Sequence, residues 1–509
     1  MNSIKIFNVE QIRNLDAYTI ANEPIASIDL MERASVSFVK WFTAHFDSEN
    51  SVCIFVGLGN NGGDGLAIAR LLALAEYKVD VFVIRYAENT TEDFRVNYER
   101  LPQIVNKKEI HSIEDLSFFE KNETNQSRVL IDALLGSGLK KEPEGLLGDV
   151  IKFINQSELQ VVSVDIASGL YADKPTFHTT VVNPDYTVAF QIPKLAFLIP
   201  ENSRRVGNWN LVDIGLSFDW IQKEKTNQYL IEKAFIKTIY KKREKFSHKG
   251  NFGRALLIAG SFGKMGAAVL AANACLRAGV GLLTMQVPRC GIEIIQTTTP
   301  EAMVISGNSK KTIDPIDWEN LQIDTIGIGP GIGTNLKALA CLGNILQETK
   351  TPMVIDADAL NLLAANKELL EIVPPNSILT PHLKEFERLF GKSENDFSRL
   401  DLLREMAVKY KLNIILKGAH TAIATPNGDI YFNTTGNPGM ATGGSGDVLT
   451  GILTSLLAQG YLPLDASLFG VYIHGLAGDI ASKENGQESL IASDIVSNLG
   501  KAFLTMHLS

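Results

Sequence analysis

Short apolar segments alternate with glycine-rich turns and helical segments along most of this chain, and this alternation restricts the fold more than any other feature. Each apolar segment has the length of a strand, and the segments between them show helical or loop character. The predicted strands are residues 51–56, 79–84, 129–131, 161–164, 187–190, 255–259, 282–287, 325–328, 353–355, 377–379 and 413–416. This order is typical of parallel sheets with helices on both faces. We therefore predict an α/β fold.

The chain is longer than one hydrophobic core usually organises, because it has 509 residues. We predict two domains, residues 1–222 and residues 223–509. Residues 218–247 are charged and have no glycine-dense motif, so we interpret them as the linker and the entry to the second domain.

The composition argues against several classes of protein. A net charge of -9 disfavours non-specific binding to nucleic acid or to anionic membranes. No uninterrupted apolar run approaches the length of a membrane span. The four cysteines form no CxxC pattern, which suits a reducing compartment. We expect a cytoplasmic homo-oligomer that acts on small molecules and binds neither nucleic acid nor membranes.

A polar, glycine-dense stretch at residues 433–451 leads into a predicted helix at 448–458. Gly443, Gly444 and Gly446 have no Cβ, so their backbone N–H groups can approach a ligand closely. The start of a helix also favours phosphate. Asp447 in the first turn would suit the helix dipole, but that alone does not require so many glycines and hydroxyl residues. We predict an anion-binding loop with Asp447 beside the transferred phosphoryl group.

Other polar residues of the second half follow predicted strands. Asp356 with Asp358, and His382 with Glu385, could each contribute to a site or simply cap the next helix. Lys417 closes a buried strand and is a natural contact for phosphate. We expect it to be unpaired without phosphate, so that its removal would not lower stability. No GxxxxGK[ST] motif accompanies these residues, so the predicted nucleotide site is not of the Walker A type.

Polar residues also follow three predicted strands of the first half. Asn61, Asp132 and Asp165 lie at or just after the ends of these strands, where the carboxyl ends of parallel strands line a crevice. A single aspartate there could be a helix cap, but three strand ends favour a site. Asn61, Asp132 and Ser168 offer only hard oxygen ligands, which suit an alkali or alkaline-earth cation better than zinc.

The first half resembles the YjeF N-terminal domain, the NAD(P)HX epimerase, in residues 31–32, 57–65, 132–138 and 164–169. The resemblance implies a Rossmann-like doubly wound fold, a potassium ion held by Asn61, Asp132 and Ser168, and Asp165 as the acid–base. It also implies substrate contacts from Asn60, Asn61, Gly62, Gly63, Asp64, Gly136, Ser137, Gly138 and Asp165. The chain has Ala167 where the family usually has proline, and this difference removes no ligand.

The second half resembles the YjeF C-terminal domain, a ribokinase-like fold that acts as NAD(P)HX dehydratase, over residues 248–500. The matching motifs are residues 248–250, 258–261, 329–331, 356–358, 380–385, 417–418 and 443–447. The implied substrate contacts are Ala267, Gly331, His382, Glu385 and Asp447. The implied nucleotide contacts are Lys417, Gly418, Ala419, His420, Thr421, Asn437, Gly439, Thr442, Gly443, Gly444, Ser445 and Gly446. Leu383 stands where the family usually has proline.

Both resemblances imply one substrate, the hydrated form of NADH or NADPH. The second domain would transfer a phosphoryl group from ADP, with Mg²⁺, to the hydroxyl of the S epimer while Asp447 accepts its proton. That transfer leaves AMP, and loss of phosphate from the ester then restores the nicotinamide. The first domain would interconvert the R and S epimers. Two alternatives stay open: a kinase of a vitamin-like alcohol that stops at the phosphorylated product, and a first domain that is a non-catalytic binding module.

Overall fold

A computed structural model describes residues 3–23, 25–117, 128–317 and 321–507 of the chain. The contacts between residues divide the chain into two compact units. One unit is Lys5–Thr226, and the other is Asn227–Ser509 together with Ile4 and the residues before it. The sequence analysis placed the boundary between the domains at residues 222 and 223.

The described residues form short strands and longer helices in alternation. The strands are β1 (Ile4–Lys5), β2 (Ser51–Val56), β3 (Val79–Ile84), β4 (Asn106–Ile110), β5 (Arg128–Ala133), β6 (Gln160–Val164), β7 (Tyr186–Phe190), β8 (Asn208–Val212), β9 (Gln228–Leu230), β10 (Arg254–Ile258), β11 (Leu282–Gln286), β12 (Met303–Ile305), β13 (Thr325–Ile328), β14 (Val354–Ile355), β15 (Ile378–Leu379), β16 (Asn413–Leu416), β17 (Ala422–Ala424) and β18 (Ile430–Phe432). The α-helices are α1 (Val9–Asn22), α2 (Ser27–Thr43), α3 (Asn60–Leu74), α4 (Glu92–Glu99), α5 (Gly145–Gln156), α6 (Phe218–Lys223), α7 (Lys233–Ile239), α8 (Met265–Arg277), α9 (Ile292–Thr298), α10 (Leu336–Glu348), α11 (Ala357–Ala365), α12 (Leu383–Phe390), α13 (Asp396–Tyr410), α14 (Ser445–Ala458), α15 (Pro463–Asn485) and α16 (Ala492–His507). In the described part of the chain, none of these helices combines the length and the apolar character that a bilayer crossing needs.

The first unit contains a seven-stranded parallel sheet in the order β4-β3-β2-β5-β6-β7-β8. Every residue of the interior strand β2 is buried. Cys53 and Phe55 point into one apolar cluster, while Val52, Ile54 and Val56 point into another. Both faces of the sheet are therefore covered, which is why residues 52–56 of this strand are all apolar.

The second unit contains an eleven-stranded sheet in the order β1-β9-β18-β17-β16-β15-β14-β13-β10-β11-β12. From β9 to β12 its pairs are parallel except those that β17 makes with β16 and β18. The sequence also predicts a hairpin over residues 421–433 around the turn at 426–428, and the β17–β18 pair confirms it. Helix α8, rich in small residues, packs against α14, and a Cβ on Gly451 would lie 2.2 Å from the carbonyl oxygen of Ala271. The two sheets confirm the predicted α/β fold class.

One prediction about local structure was wrong. The sequence predicts a glycine loop over residues 57–65 and a helix over residues 66–76, but the helix begins at Asn60, because Gly62, Gly63 and Gly65 allow close packing inside the helix. A Cβ on Gly62 would lie 1.9 Å from the carbonyl oxygen of Gly57. Residues 218–247, interpreted as the linker and the entry to the second domain, contain α6, β9 and α7, and β9 pairs with β18. The division between the two compact units falls within this segment, after Thr226.

Candidate active sites

A cavity of about 820 Å³ lies in the first unit at the carboxyl ends of its strands. The sheet order places β5 beside β2 and β6 beside β5, so the segments after these strands meet there. The predicted residues that line this cavity are Asn60, Asn61, Asp64, Gly136, Ser137, Gly138 and Asp165. Gly62 and Gly63 are buried and are not among its lining residues; a Cβ on Gly63 would lie 2.9 Å from Met31 Sδ.

The three predicted cation ligands are buried side chains that offer oxygen atoms. Asp132 accepts hydrogen bonds from Ser168 Oγ at 2.6 Å, Ser168 N at 2.9 Å, Ser163 Oγ at 2.8 Å and Leu134 N at 3.3 Å. Burial raises the pKa of Asp132, and the bonds from Ser168 oppose that rise. These hydrogen-bond donors therefore stabilise the ionised form of Asp132 against the cost of its burial.

Asn61 presents an unused oxygen in the same region. Its Nδ2 donates to the carbonyl oxygen of Val164 at 2.9 Å. Its Oδ1 is buried and has no hydrogen-bond partner among the described residues. A buried amide oxygen without a donor is a suitable ligand for a hard monovalent cation, so this donor set fits potassium.

Asp165 follows β6 with a φ of 67°, in the left-handed region that residues other than glycine rarely adopt. Its Oδ1 accepts a hydrogen bond from Phe190 N at 3.0 Å and one from Lys194 Nζ. The Lys194 side chain is only 1% exposed. The geometry holds Asp165 as a paired carboxylate at the cavity wall, and strain of this kind is common at functional sites.

Among the charged residues of this site that the sequence analysis missed, Asp16 and Lys194 are the ones that interact with Asp165. Asp16 lines the cavity, and burial together with the Asp165 charge raises the pKa of Asp16 to about 6. Burial also raises the pKa of Asp64 well above its usual value. Lys194 could have been found because it follows β7, a strand end like the others. Asp16 gave no such signal, since it lies within a helix.

In the second unit, the glycine loop forms the start of α14 as the sequence predicts. Gly444 has a φ of 92°, and a Cβ there would lie 2.4 Å from Leu270 Cδ1, so only glycine fits. Asp447 lies in the first turn of the helix. Burial raises its pKa to about 6; the carboxylates of Asp356 and Asp358 add to the rise and the Lys417 ammonium opposes it.

Lys417 is paired, which contradicts the expectation of a free lysine. Its Nζ lies 3.0 Å from Asp356 Oδ1, and Asp356 is 1% exposed. Asp356 Oδ2 accepts a second bond from Thr450 Oγ1 at 2.7 Å. A Cβ on Gly446 would lie 3.3 Å from Lys417 Nζ, so the lysine reaches the glycine loop. Without Lys417 the buried Asp356 would lose its counter-ion, so its removal should lower stability.

The two capping alternatives have different outcomes. His382 does cap α12, because its Nδ1 accepts hydrogen bonds from the backbone N–H groups of Lys384 and Glu385. Asp356 makes no capping bond at α11 and is bound to Lys417 instead. His382 forms a parallel bridge with Lys417, which brings α12 to the same site. Burial raises the pKa of Glu385, and Lys417 opposes the rise.

Ala267 and Gly331, the remaining predicted substrate contacts, lie next to each other. A Cβ on Gly331 would lie 3.2 Å from the Cβ of Ala267. Ser261 Oγ donates to the carbonyl oxygen of Gly331 at 2.7 Å and fixes this loop. Asp358 joins it to the rest of the site, because its Oδ2 accepts from Gly333 N at 2.8 Å and lies 3.2 Å from Lys264 Nζ.

The remaining predicted nucleotide contacts are in two loops. Gly418 and Thr421 close one turn, since Thr421 Oγ1 donates to the carbonyl oxygen of Gly418 at 3.0 Å. Asn437 closes the other, as its Nδ2 donates to Asp479 Oδ1 at 2.9 Å and its Oδ1 accepts from Gly439 N at 3.1 Å. The remaining members are Ala419, His420, Thr442, Gly443 and Ser445. The sequence analysis missed Thr450, which holds Asp356 from the second turn of α14.

Comparison with known proteins gives consistent matches to both halves. Residues 27–196 match a family model described as YjeF-related protein N-terminus, and residues 255–501 match one described as NAD(P)H-hydrate dehydratase. The chain is 35% identical to a bifunctional NAD(P)H-hydrate repair enzyme Nnr of Moorella thermoacetica, covering 96% of this chain and 94% of that protein. It is 31% identical to the one of Escherichia coli, over 92% and 88%.

Similar solved structures include an ADP/ATP-dependent NAD(P)H-hydrate dehydratase from Bacillus subtilis co-crystallized with ATP/Mg²⁺. It is 29% identical to the chain, with a TM-score of 0.48, and the match covers 54% of this chain and 97% of that one.

Proposed function

The chain belongs to the family of bifunctional NAD(P)H-hydrate repair enzymes, and from that membership we propose how its residues divide the two reactions. It is an NAD(P)H-hydrate epimerase joined to an NAD(P)H-hydrate dehydratase. The observation that carries this conclusion is the match to repair enzymes over nearly the whole of both chains. The alternative of a vitamin kinase with a non-catalytic first domain is not favoured, because both halves match the two parts of this family.

We propose that the second domain dehydrates the S epimer by way of a phosphate ester, with ADP as donor. The hydroxyl of the hydrate is a poor leaving group until it is phosphorylated. Asp447 would accept the hydroxyl proton, which requires its carboxylate form. The oxygen then attacks the transferred phosphorus, and the loop N–H groups with Lys417 stabilise the phosphoryl charge. The electron pair of the ring nitrogen then expels phosphate to form a C=N⁺ bond, and loss of a proton from the adjacent ring carbon restores the dihydronicotinamide.

We propose that Mg²⁺ reaches this site on the phosphates of the nucleotide, as it does in many phosphoryl-transfer sites. The described residues contain no group of three or more His, Cys, Asp and Glu side chains arranged to hold a metal. That observation agrees with a metal carried by the substrate, so we assign Mg²⁺ no ligand from this chain.

We propose that Asn61, Asp132 and Ser168 hold potassium in the first domain and that Asp165 is the acid–base of epimerisation. The Asn61 Oδ1 atom has no hydrogen-bond partner among the described residues, while its Nδ2 is held by the Val164 carbonyl, and this supports a cation at the site. The charge of the potassium ion would stabilise the ionised Asp132 and fix the loop that carries Ser168. The cavity position of Asp165 and its bond from Lys194 support its role.

We further propose that the protein is a cytoplasmic homo-oligomer whose partners are its substrates, hydrated NADH or NADPH and ADP. The net charge of -9 supports small molecules as the partners, because it disfavours binding to nucleic acid and to anionic membranes. Light scattering of the purified chain tests the oligomeric state.

One experiment tests the proposed function. The purified full chain is mixed with both epimers of hydrated NADH and either ADP or ATP, and the absorbance of NADH is followed. We expect complete recovery of NADH with ADP and the appearance of AMP and phosphate. Recovery of only one epimer would contradict the epimerase, and accumulation of a phosphorylated product would favour the kinase. No recovery with ADP but recovery with ATP would contradict the proposed donor.

A further inference from the structure

We infer that Asp16 is a second catalytic residue of the epimerase and acts on the substrate together with Asp165. This inference rests on the role proposed for Asp165. Epimerisation must remove a hydroxyl from one face of a carbon atom and return it to the other face. One proton donor and one proton acceptor are needed, and a single carboxyl group does not reach both faces at once.

Four aspartates line the cavity of the first unit, and two of them, Asp16 and Asp165, are the candidates for the pair. Asp16 is on helix α1, whereas Asp165 follows strand β6, and both line the same space. Asp64 of α3 lines it as well. Arg13, one turn before Asp16, lines the cavity and lies near the Gly136–Gly138 loop, with its guanidinium 3.5 Å from the carbonyl oxygen of Gly138. The side of α1 that faces the substrate space therefore carries both a cation and an acid.

The two carboxyl groups have opposite surroundings. Asp165 accepts hydrogen bonds from Phe190 N and from the buried Lys194 ammonium, so its Oδ1 is held as an acceptor beside a cation. Asp16 is near the charge of Asp165, and burial and that charge raise its pKa to about 6, against the influence of Lys194. Asp64 also faces this pair and has its own pKa raised by burial. Two carboxyl groups in such unequal surroundings are the arrangement that acid–base catalysis uses.

The reaction balances without an oxidant or reductant. Asp16 donates its proton to the substrate hydroxyl, the C–O bond breaks, and water leaves with the bonding electron pair. The lone pair of the ring nitrogen forms a C=N⁺ bond. Water adds to the other face of that carbon, the π pair returns to nitrogen, and the Asp165 carboxylate accepts the proton of the water. The reverse reaction returns the proton to Asp16, so the pair must share one proton in both directions.

The test compares Asp16→Asn, Asp16→Glu and the wild-type full chain. Epimerisation is measured by chromatography of the R and S hydrates without nucleotide, so that the dehydratase is silent. We expect Asp16→Asn to lower kcat/KM for both epimers about 100-fold or more. Asp16→Glu should restore part of the rate. Glu10→Gln is the matched control, because it removes an exposed carboxylate from the same helix, and it should leave the rate unchanged.

The pH profile separates a catalytic role from a structural one. In the wild type, kcat/KM for both epimers should fall above about pH 6, where Asp16 loses its proton, and Asp16→Asn should lose this limb. Near-normal epimerisation by Asp16→Asn, or a slower rate with the limb retained, overturns the inference. Should Asp16→Asn not fold, absence of the limb from the wild-type profile overturns it. Retained activity in Asp165→Asn would instead overturn the proposed role of Asp165.

Discussion

At the residue scale, two aspartates of the proposed dehydratase site show how surroundings divide chemical roles. Asp356 is buried, forms an ion pair with Lys417 and accepts a hydrogen bond from Thr450. Asp447 makes no ion pair within the described residues, and burial raises its pKa to about 6. Asp356 thus positions the lysine, whereas Asp447 is available to exchange a proton near neutral pH.

Asp447→Asn should lower dehydration of the S hydrate by at least about 100-fold, because an amide cannot accept the hydroxyl proton. The backbone N–H groups of the loop remain, so ADP should still bind. In the wild type, kcat/KM should rise with pH through about 6 as Asp447 ionises. Steady-state absorbance and calorimetric titration with ADP measure the two effects.

Stability provides the control for this variant. The folded pKa of Asp447 is raised, so its contribution to stability is fully present below the unfolded pKa and is lost as pH rises through about 6. Asp447→Asn should therefore be no less stable than the wild type at neutral pH. Near-normal turnover by a folded Asp447→Asn would contradict its role as the base.

Lys417→Ala should weaken ADP binding about tenfold to a hundredfold, because a charge-assisted contact to phosphate is lost. It should also destabilise the second domain by about 3 kcal/mol, since Asp356 is left buried without its counter-ion. Calorimetry with ADP and urea unfolding measure the two effects.

Lys264→Ala is the comparison for stability, because it breaks a more exposed pair with Asp358 and should cost less than about 1 kcal/mol. Adding Asp356→Asn to Lys417→Ala should recover much of the lost stability without recovering ADP affinity. Unchanged affinity in Lys417→Ala would mean that the lysine serves only Asp356.

At the element scale, the start of α14 combines three requirements in one turn. Gly444 needs a positive φ, Gly446 leaves room beside Lys417, and Asp447 occupies the first turn. The rest of the helix is buried against α8, with Gly451 against Ala271. The reactive end of the helix is thus held by a rigid packed body, which preorganises the N–H groups for an anion.

Gly446→Ala should lower the affinity for ADP while leaving the free energy of unfolding almost unchanged. The added Cβ would lie 3.3 Å from Lys417 Nζ, the flexible end of a side chain, so the fold should change by less than about 1 kcal/mol. The methyl group would occupy space that a phosphate needs, and ADP affinity should fall at least tenfold.

Gly343→Ala in α10 is the matched control, because its Cβ would have no neighbour within 4 Å. It should raise stability by about 0.5–1 kcal/mol and leave ADP binding unchanged. Normal ADP affinity in Gly446→Ala would show that this position does not face the phosphates.

At the scale of the whole molecule, each compact unit carries its own candidate site. The residues that line the cavity of the first unit lie between positions 13 and 214. In the second unit, the residues described around the glycine loop and its neighbouring loops include Ser261 at one end and Thr450 at the other. Two sites with separate sheets should be separable by mutation. The single chain then guarantees one epimerase for each dehydratase.

Asp132→Asn should lower epimerisation and remove its dependence on potassium, because the buried negative charge that the cation would balance is lost. Dehydration of the pure S epimer with ADP should stay within about twofold of the wild type, a difference of under 0.5 kcal/mol. Both rates are measured on the same preparation, in potassium and in sodium buffers. Parallel loss of both activities in a folded protein would contradict the division into two sites.

The sequence by itself determined the features that depend on neighbours along the chain. Strands β2, β3, β13 and β16 have the bounds that the sequence predicts, because strands buried on both faces are rich in apolar residues. The positions of Gly444 and Asp447 in one helix start follow equally from local spacing. The order of the motifs was sufficient to identify the family, because one family model matches each half of the chain.

Only the tertiary structure decided which distant residues pair and which are buried. Lys417 and Asp356 are 61 positions apart, and their bond turned an expected free cation into half of a buried pair. The packing of α1 places Asp16 at the cavity of the first unit. Residues 228–230 form strand β9 because they pair with β18. Charge pairing and burial depend on distances across the fold, and spacing along the chain does not encode these distances.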